Sequence, residues 1–203
     1  MTRTLTYPSD VAFTPAVKAI QAKRGSRAAY ARMEAAGGWE TEIDASLAAF
    51  IAEQRSFFLA TANAEGQPYI QHRGGPPGFL RVTGPRTLAF ADYRGNRQYI
   101  SLGNLSENPK VQLFLIDYAQ RARVKIWGTA HVEEDPARVS ALMPEGYDAK
   151  PEQALVIEVV AWDGNCPQHI PQRLEASDVA RALAERDERI ATLEAELAAR
   201  RST

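Results

Sequence analysis

Cysteine and histidine are scarce in this sequence, which has one cysteine, Cys166, and three histidines among 203 residues. A single cysteine excludes an internal disulfide framework and any multi-cysteine metal site, and it is typical of a reducing compartment. Cys166 and His169 could offer a metal only two ligands, whereas zinc usually takes three or four from the protein. No third group is positioned by the sequence to orient such a pair, so neither a metal site nor a Cys-His nucleophile is predicted.

Long apolar runs and an excess of charge of either sign are also missing. No run is long enough to cross a bilayer and no charged-then-apolar leader opens the chain, so we expect a cytoplasmic protein. Lys and Arg number 24 against 25 Asp and Glu, which gives a net charge of -1. That balance provides no general attraction to nucleic acid or to an anionic membrane, so any phosphate site must be local. No Gly-x-Gly-x-x-Gly lies between a strand and a helix, which argues against a Rossmann unit.

Helical spacing characterises the first fifty residues. Thr14 before Pro15 predicts a helix that ends at Gly25, and further helices are expected at residues 27–36 and 44–53. Residues 1–10 are polar, and we expect them to be loosely held. The apolar side chains of these helices are most simply explained as part of the core.

From Ser56 onward, the apolar residues recur with the period that is typical of β-strands. Hairpin turns separate several of them. Strands are predicted at residues 57–62, 69–73, 79–82, 87–92, 111–116, 123–132 and 154–162, and short helices after residue 99 and at 136–143. Six or seven strands in hairpin order, with few helices between them, predict a small closed or nearly closed antiparallel barrel.

The chain ends in a different pattern. Apolar residues recur at alternating steps of four and three, with Arg186 at the one polar core position, and they are Val179, Leu183, Ile190, Leu193 and Leu197. This pattern predicts an amphipathic helix with coiled-coil character, which could pack on its own domain or pair with a partner. We therefore divide the chain into a helical extension (1–48), a barrel (49–173) and a terminal helix (174–203).

The stretch at residues 91–117 carries the polar chemistry. Gly95 and Asn96 are expected to supply the flexible backbone of a tight turn, bracketed by Arg94 and Arg97, before a short helix. Guanidiniums and backbone donors ahead of a helix suit a phosphate. A solvated turn with surface arginines is the alternative. The Gly-Gly-Pro-Pro-Gly run after Arg73 indicates close backbone approach to a ligand or a sharp barrel corner.

Several motifs follow one another in an order and strand context that carry a family resemblance. They are Thr61-Ala62, Gly66-Gln67-Pro68, Gln71-His72-Arg73-Gly74-Gly75, Gly95-Asn96-Arg97, Leu105 and Asn108-Pro109. With them, about residues 49–173 resemble the pyridoxamine 5′-phosphate oxidase-like family of FMN-binding split β-barrels. The segment Asn165-Cys166-Pro167-Gln168-His169-Ile170-Pro171 is similar to that of a flavin-nucleotide-binding subgroup. The resemblance implies a mainly β fold with flanking helices, a six- to seven-stranded antiparallel split barrel, and a homodimer with FMN at its interface.

Carried over residue by residue, the resemblance implies a set of cofactor contacts. Arg73 and Arg97 would reach the FMN phosphate, and Asn96 and Gln98 would serve ribityl or phosphate oxygens. The backbone around His72, Gly74 and Gly75 would face the flavin ring. His72 could equally be a satisfied, partly buried histidine, because it alternates onto the same side as Ile70. We also expect residues 165–171, with Gln168, to be contributed across the dimer interface.

The function implied is that of an FMN flavoprotein, an oxidoreductase acting on an unidentified small molecule. Pyridoxamine phosphate is not the expected substrate, because the terminal tryptophan and Arg-Leu-x-Pro segment of that oxidase are missing and its phosphate lysine has no counterpart. The flavin carries the redox chemistry, so the lack of an evident acid/base pair is no obstacle, and no catalytic residue is predicted. The alternatives are a non-catalytic flavin storage or sensing module, and the same fold holding haem or a deazaflavin.

Overall fold

The computed structural model describes residues 6–165 and 167–201. The chain forms two compact units, of which the larger comprises residues 1–116 and 123–166 and the smaller residues 117–122 and 167–203. Cys166 lies outside the described residues, so the expectations about it are left as they stand. Across the described part of the chain, no helix is both long and apolar enough to cross a membrane.

Three helices open the larger unit, as predicted. The Thr14 hydroxyl caps the first by accepting a hydrogen bond from the Val17 N–H at 3.3 Å, and Gly25 ends it in the left-handed region with φ 82°. The Asp44 carboxylate caps the third through the Leu47 N–H at 2.7 Å. The helices are α1 (Pro15–Arg24), α2 (Arg27–Ala35) and α3 (Ala45–Glu53).

Residues 6–10 are packed, which corrects the expectation of a loosely held segment for this part of it, and residues 1–5 lie outside the described residues. A 3₁₀ helix covers Pro8–Val11, and both Ser9 and Asp10 are buried. The Lys18 ammonium lies 2.6 Å from Asp10 Oδ1 and 3.3 Å from Glu34 Oε1, which joins this segment to α1 and α2. These partners are distant in sequence, and a locally polar pattern contains no sign of them.

In the described part of the chain, seven strands form one antiparallel sheet in the order β2-β1-β5-β6-β7-β4-β3, which is the split β-barrel that the sequence predicts. The strands are β1 (Ser56–Ala62), β2 (Pro68–Gly74), β3 (Arg81–Gly84), β4 (Thr87–Tyr93), β5 (Lys110–Asp117), β6 (Ala122–Glu133) and β7 (Pro151–Asn165), with helices α4 (Ile100–Glu107) and α5 (Pro136–Ala141) between them. β3 begins two residues later than predicted, because the Phe79 N–H donates to the Pro76 carbonyl oxygen at 3.0 Å and closes a turn there.

The core lies between the strands and α3. The Phe57 ring meets Phe79 and Phe90 at centroid distances of 5.6 and 5.2 Å, and Leu47 and Ile51 of α3 pack into the same cluster. Each fully buried side chain of this size contributes about 1.5–3 kcal/mol of hydrophobic stabilisation. The strands that carry the polar residues described below are therefore held by a well-packed core.

The smaller unit contains the loop after β5, residues 167–175 and the helix α6 (Ala176–Arg201). Arg121, with φ 55°, donates from Nε to the Ile170 carbonyl oxygen at 3.1 Å. The Arg173 guanidinium lies over the Tyr118 ring, 4.6 Å from its centroid. Every residue of α6 is exposed.

Candidate functional site

A pocket in the larger unit lies between β2, the end of β4 and the loop that leads into α4. The alternation of β2 places Tyr69, Gln71 and Arg73 on the side that lines the pocket. Ile70 and His72 are on the opposite, exposed side of the strand. His72 does share a face with Ile70, but it is exposed and not the partly buried histidine that was considered.

The turn at residues 94–99 differs from the prediction in where its backbone is strained. The left-handed residues are Arg97, with φ 60°, and Tyr99, with φ 54°, whereas Gly95 and Asn96 are not left-handed. A non-glycine residue in this region costs about 1–3 kcal/mol and persists only where its surroundings hold it. Here the Arg97 Nε–H donates to the Tyr99 hydroxyl at 3.0 Å, and both side chains are exposed.

The N-terminus of α4 opens onto the pocket. Tyr99 occupies the capping position, and its side chain does not cap the helix. The first N–H groups of a helix have no acceptor within it, and the residues that carry them, Ile100, Ser101 and Leu102, line the pocket. The side-chain amide oxygen Oε1 of Gln71 accepts a hydrogen bond from the Ser101 hydroxyl at 3.0 Å, which connects β2 to this helix end. Free N–H groups and the helix dipole together favour an anion at this position.

Arg73 forms a buried ion pair beside the pocket. Its Nη1 donates to Asp92 Oδ1, and the Gln153 amide donates to Asp92 Oδ2 at 2.7 Å. The Arg73 and Asp92 side chains are only 13% and 8% exposed. The Arg73 Nε–H is also buried, and within the part of the chain that the structure describes it has no hydrogen-bond acceptor. Arg73 therefore retains a donor that an incoming acceptor could satisfy.

Glu152 supplies a second carboxylate on the other side of the pocket. Its Oε1 lies 3.7 Å from Arg94 Nε and accepts from the Tyr99 hydroxyl at 3.4 Å. The Tyr99 hydroxyl, followed by Glu152, raises the pKa of Arg97 above its ordinary value. Asp92 and Glu152 balance Arg73 and Arg97 in formal charge among the lining residues. Any preference for an anion must therefore come from the direction of the N–H donors and from the helix end.

A second cavity adjoins the first and shares residues of β2 and β4 with it. Phe79 and Phe90 give it an apolar wall, and His72 and Gly74 lie along its edge. Tyr93 lines both cavities, and its hydroxyl is buried without a partner among the described residues. Burial, followed by the nearby Tyr147, raises the pKa of Tyr93, so the phenol is protonated at neutral pH.

The predicted site residues are partly brought together. Arg73, Asn96, Arg97 and Gln98 line the first pocket, and His72 and Gly74 line the second with Arg73. Gly75 lines neither, and a Cβ on it would lie 2.7 Å from Phe79, so its small size is required for packing. Gln168 belongs to the smaller unit, where it is exposed. The prediction that it contacts a cofactor stays a prediction.

Several residues that line the first pocket were not predicted as site residues, namely Tyr69, Gln71, Asp92, Tyr93, Ser101 and Glu152. Strand alternation could have placed Tyr69 and Gln71 beside Arg73. Asp92 follows the apolar run 88–91 of β4 and is itself buried, and a buried carboxylate there is a sign of a cation nearby. No pattern in the sequence indicates that Glu152 lines the pocket. Within residues 6–165 and 167–201, no three His, Cys, Asp or Glu side chains come together as a metal ion would require.

Comparison with known proteins gives one family match. A family model described as pyridoxamine 5′-phosphate oxidase matches residues 43–166. The crystal structure of HupZ from Group A Streptococcus has a TM-score of 0.50 and 20% identity, over 65% of this chain and 99% of that chain. An FMN-binding protein from Syntrophomonas wolfei has a TM-score of 0.46 and 13% identity, over 58% of this chain and 81% of that chain. A comparison with the sequences of curated proteins gave no match.

Proposed function

The chain belongs to the pyridoxamine 5′-phosphate oxidase family, and we propose from this that it binds FMN in the pocket between β2, β4 and α4. One observation carries the proposal: the open N-terminus of α4 and the side chains of Arg73 and Arg97 surround the same pocket. A phosphate monoester needs several N–H donors within a small volume, and guanidiniums with a helix end provide them.

The residues present fit such a ligand. The buried Nε–H of Arg73 would gain the acceptor that it lacks among the described residues. The amides of Asn96 and Gln98 lie in the same loop and would serve ribityl or phosphate oxygens. The adjoining cavity, with Phe79 and Phe90 on one wall, would take the flavin ring along the backbone of His72 and Gly74.

We further propose that the protein is an oxidoreductase acting on a small molecule. Bound FMN supplies hydride and electron transfer, so the contribution of the chain is to bind the cofactor, orient it and limit the access of water. The Tyr93 phenol, whose pKa is raised by burial, would contribute an O–H donor and no negative charge beside the cofactor.

A second copy of the chain would complete the site. Apolar side chains that line the pocket are exposed, with Tyr99 at 44% and Ile100 at 40%. Exposed apolar groups around a polar pocket are typical of a surface that another protein covers. In a symmetric homodimer, both copies would use the same surface, and Gln168 of each could serve the site of the other.

The cofactor carried by purified protein tests the proposal. We expect a flavin absorption spectrum after reconstitution, and release of FMN and no FAD on denaturation. Reduction of the bound flavin by NADH or NADPH would support the oxidoreductase role, whereas tight binding without reduction would support storage or sensing. A haem spectrum, or failure to bind FMN at saturation, would overturn the proposal.

A further inference from the structure

The helix α6 presents an apolar stripe that no described residue of the smaller unit covers. It runs for 26 residues, and none of them is buried. The stripe consists of Val179 (40% exposed), Leu183 (52%), Ile190 (53%), Leu193 (39%) and Leu197 (59%). An isolated amphipathic helix in water is only marginally stable, and burial of its apolar face supplies most of its stability. We therefore expect the apolar stripe of α6 to be buried against a partner.

The spacing of the stripe defines a heptad frame. Leu183, Ile190 and Leu197 occupy the a position, and Val179, Arg186 and Leu193 occupy the d position. The flanking positions are charged: Asp187, Glu194 and Arg201 are at e, and Arg189 and Glu196 are at g. In a parallel, in-register pair, each g residue faces the e residue five positions later on the other helix.

We propose that α6 forms a parallel, in-register, two-stranded coiled coil with α6 of a second copy of this chain. In that arrangement Arg189 faces Glu194 of the second copy, and Glu196 faces Arg201 of the second copy. Both contacts join opposite charges, and two-fold symmetry repeats each of them. Of the six core layers from Val179 to Leu197, five are apolar, and Arg200 occupies one further d position at the end of the helix. The sixth contains Arg186, which at a d position lies beside Asp187 of the second copy, so the polar layer has its own counter-charge.

An antiparallel pair is less favourable in both of its plausible registers. The register that places Leu183 against Leu193 of the second copy also places Arg189 against Arg189 and Asp187 against Glu194, which are like-charge contacts. The other register brings opposite charges together, but it places Leu183 against Arg200 of the second copy and Leu197 against Arg186 of the second copy. Only the parallel pair combines apolar layers with complementary flanks.

This interface is independent of flavin binding, because every residue that forms it lies on α6. It requires only a second copy, so it can be tested in full-length protein without added FMN.

Oxidative cross-linking of the full chain tests the proposal. In a Cys166→Ser background, Ile190→Cys places a thiol at an a position, where a parallel in-register pair brings it against the same thiol of the second copy. Ala195→Cys is the matched control, because residue 195 is exposed and occupies the outer f position. We expect disulfide dimers to form at least about tenfold faster with Ile190→Cys, because the pairing raises the effective thiol concentration. Equal rates, or no dimer with Ile190→Cys, would overturn the proposal.

A charge-exchange experiment checks the orientation separately. Arg189→Glu alone and Glu194→Arg alone would each place like charges across the parallel interface. A mixture of the two variants would restore every one of these contacts, so we expect heterodimers to exceed homodimers. A random mixture of the two species, measured by native mass spectrometry, would contradict the parallel arrangement.

Discussion

Arg73 has two roles that oppose each other. Its guanidinium balances the buried Asp92 carboxylate, and it also presents an Nε–H donor without a partner among the described residues. Asp92 lies directly opposite Gln153 in the β4–β7 register, which fixes the carboxylate in place. In the proposed complex the cofactor phosphate and Asp92 would compete for one cation.

Replacement of Asp92 by Asn separates these roles. The variant leaves Arg73 buried without its counter-charge, so we expect the free energy of unfolding without ligand to fall by about 3 kcal/mol. FMN should bind at least as tightly as to the wild type, because a negative charge beside the phosphate is gone. Urea unfolding and FMN titration measure the two effects. Asp178→Asn, which removes an exposed carboxylate paired with Arg181, is the control and should change stability by less than about 1 kcal/mol. Unchanged stability, or weaker FMN binding by Asp92→Asn, would count against this account.

The buried acid network at the N-terminus predicts a pH dependence of stability. Burial raises the pKa of Asp10, but hydrogen bonds from Lys18 and from the Tyr7 and Thr6 N–H groups outweigh it, so the pKa lies below its ordinary 3.8. A lowered carboxyl pKa in the folded state stabilises the protein above the ordinary value, and this stabilisation is lost as the pH falls through the folded pKa. We expect Asp10→Asn to be less stable by about 1–2 kcal/mol near neutral pH and to approach the wild type in acid. If the free energies of unfolding of the wild type and Asp10→Asn differed by the same amount at every pH in the acid range, Asp10 would make no such contribution.

At the scale of elements, two glycines near the site have different requirements. A Cβ on Gly75 would lie 2.7 Å from Phe79, whereas a Cβ on Gly95 would meet nothing within 4 Å. Gly75→Ala should lower the free energy of unfolding by about 1–3 kcal/mol, because the core aromatic ring must move. Gly95→Ala, which has room and an ordinary φ, should leave stability within about 0.5 kcal/mol of the wild type. Thermal or urea unfolding distinguishes them, and equal losses would show that crowding at Phe79 does not set the requirement.

The elements themselves were largely predictable because their signals are local. Thr14 caps its helix as expected, the helix predicted at residues 44–53 is present with Asp44 as its cap, and Asn108-Pro109 ends α4 before β5. What escaped prediction depends on contacts between distant segments. The left-handed turn at Arg97 and Tyr99, the packing of Asp10 against α1 and α2, and the Arg73–Asp92 pair all require the tertiary structure. The sequence thus allowed charged residues to be predicted as phosphate ligands, but it did not reveal their carboxylate partners on β4 and β7.

At the scale of the whole molecule, a site shared between two copies would couple cofactor binding to association. If FMN binds only the dimer, dilution should weaken FMN binding, and FMN should shift the population toward dimer. Gln168→Ala should weaken FMN binding and leave the barrel folded, because Gln168 is exposed in the smaller unit. Sedimentation with fluorescence titration measures both effects. A monomer that binds FMN with the same affinity at every concentration would rule out the shared site.

The central claim is that the turn before α4 holds the phosphate of FMN, and Arg97→Ala tests it most directly. Arg97 lines the pocket and, in the single chain, bonds only to Tyr99 among the hydrogen-bond partners seen in the described residues, so its loss should leave the fold intact. Arg138→Ala, which removes an exposed arginine from α5, is the control. In calorimetric titrations we expect Arg97→Ala to weaken FMN by about 10- to 100-fold and riboflavin, which has no phosphate, much less. Equal losses for FMN and riboflavin, or no loss for either, would contradict the account.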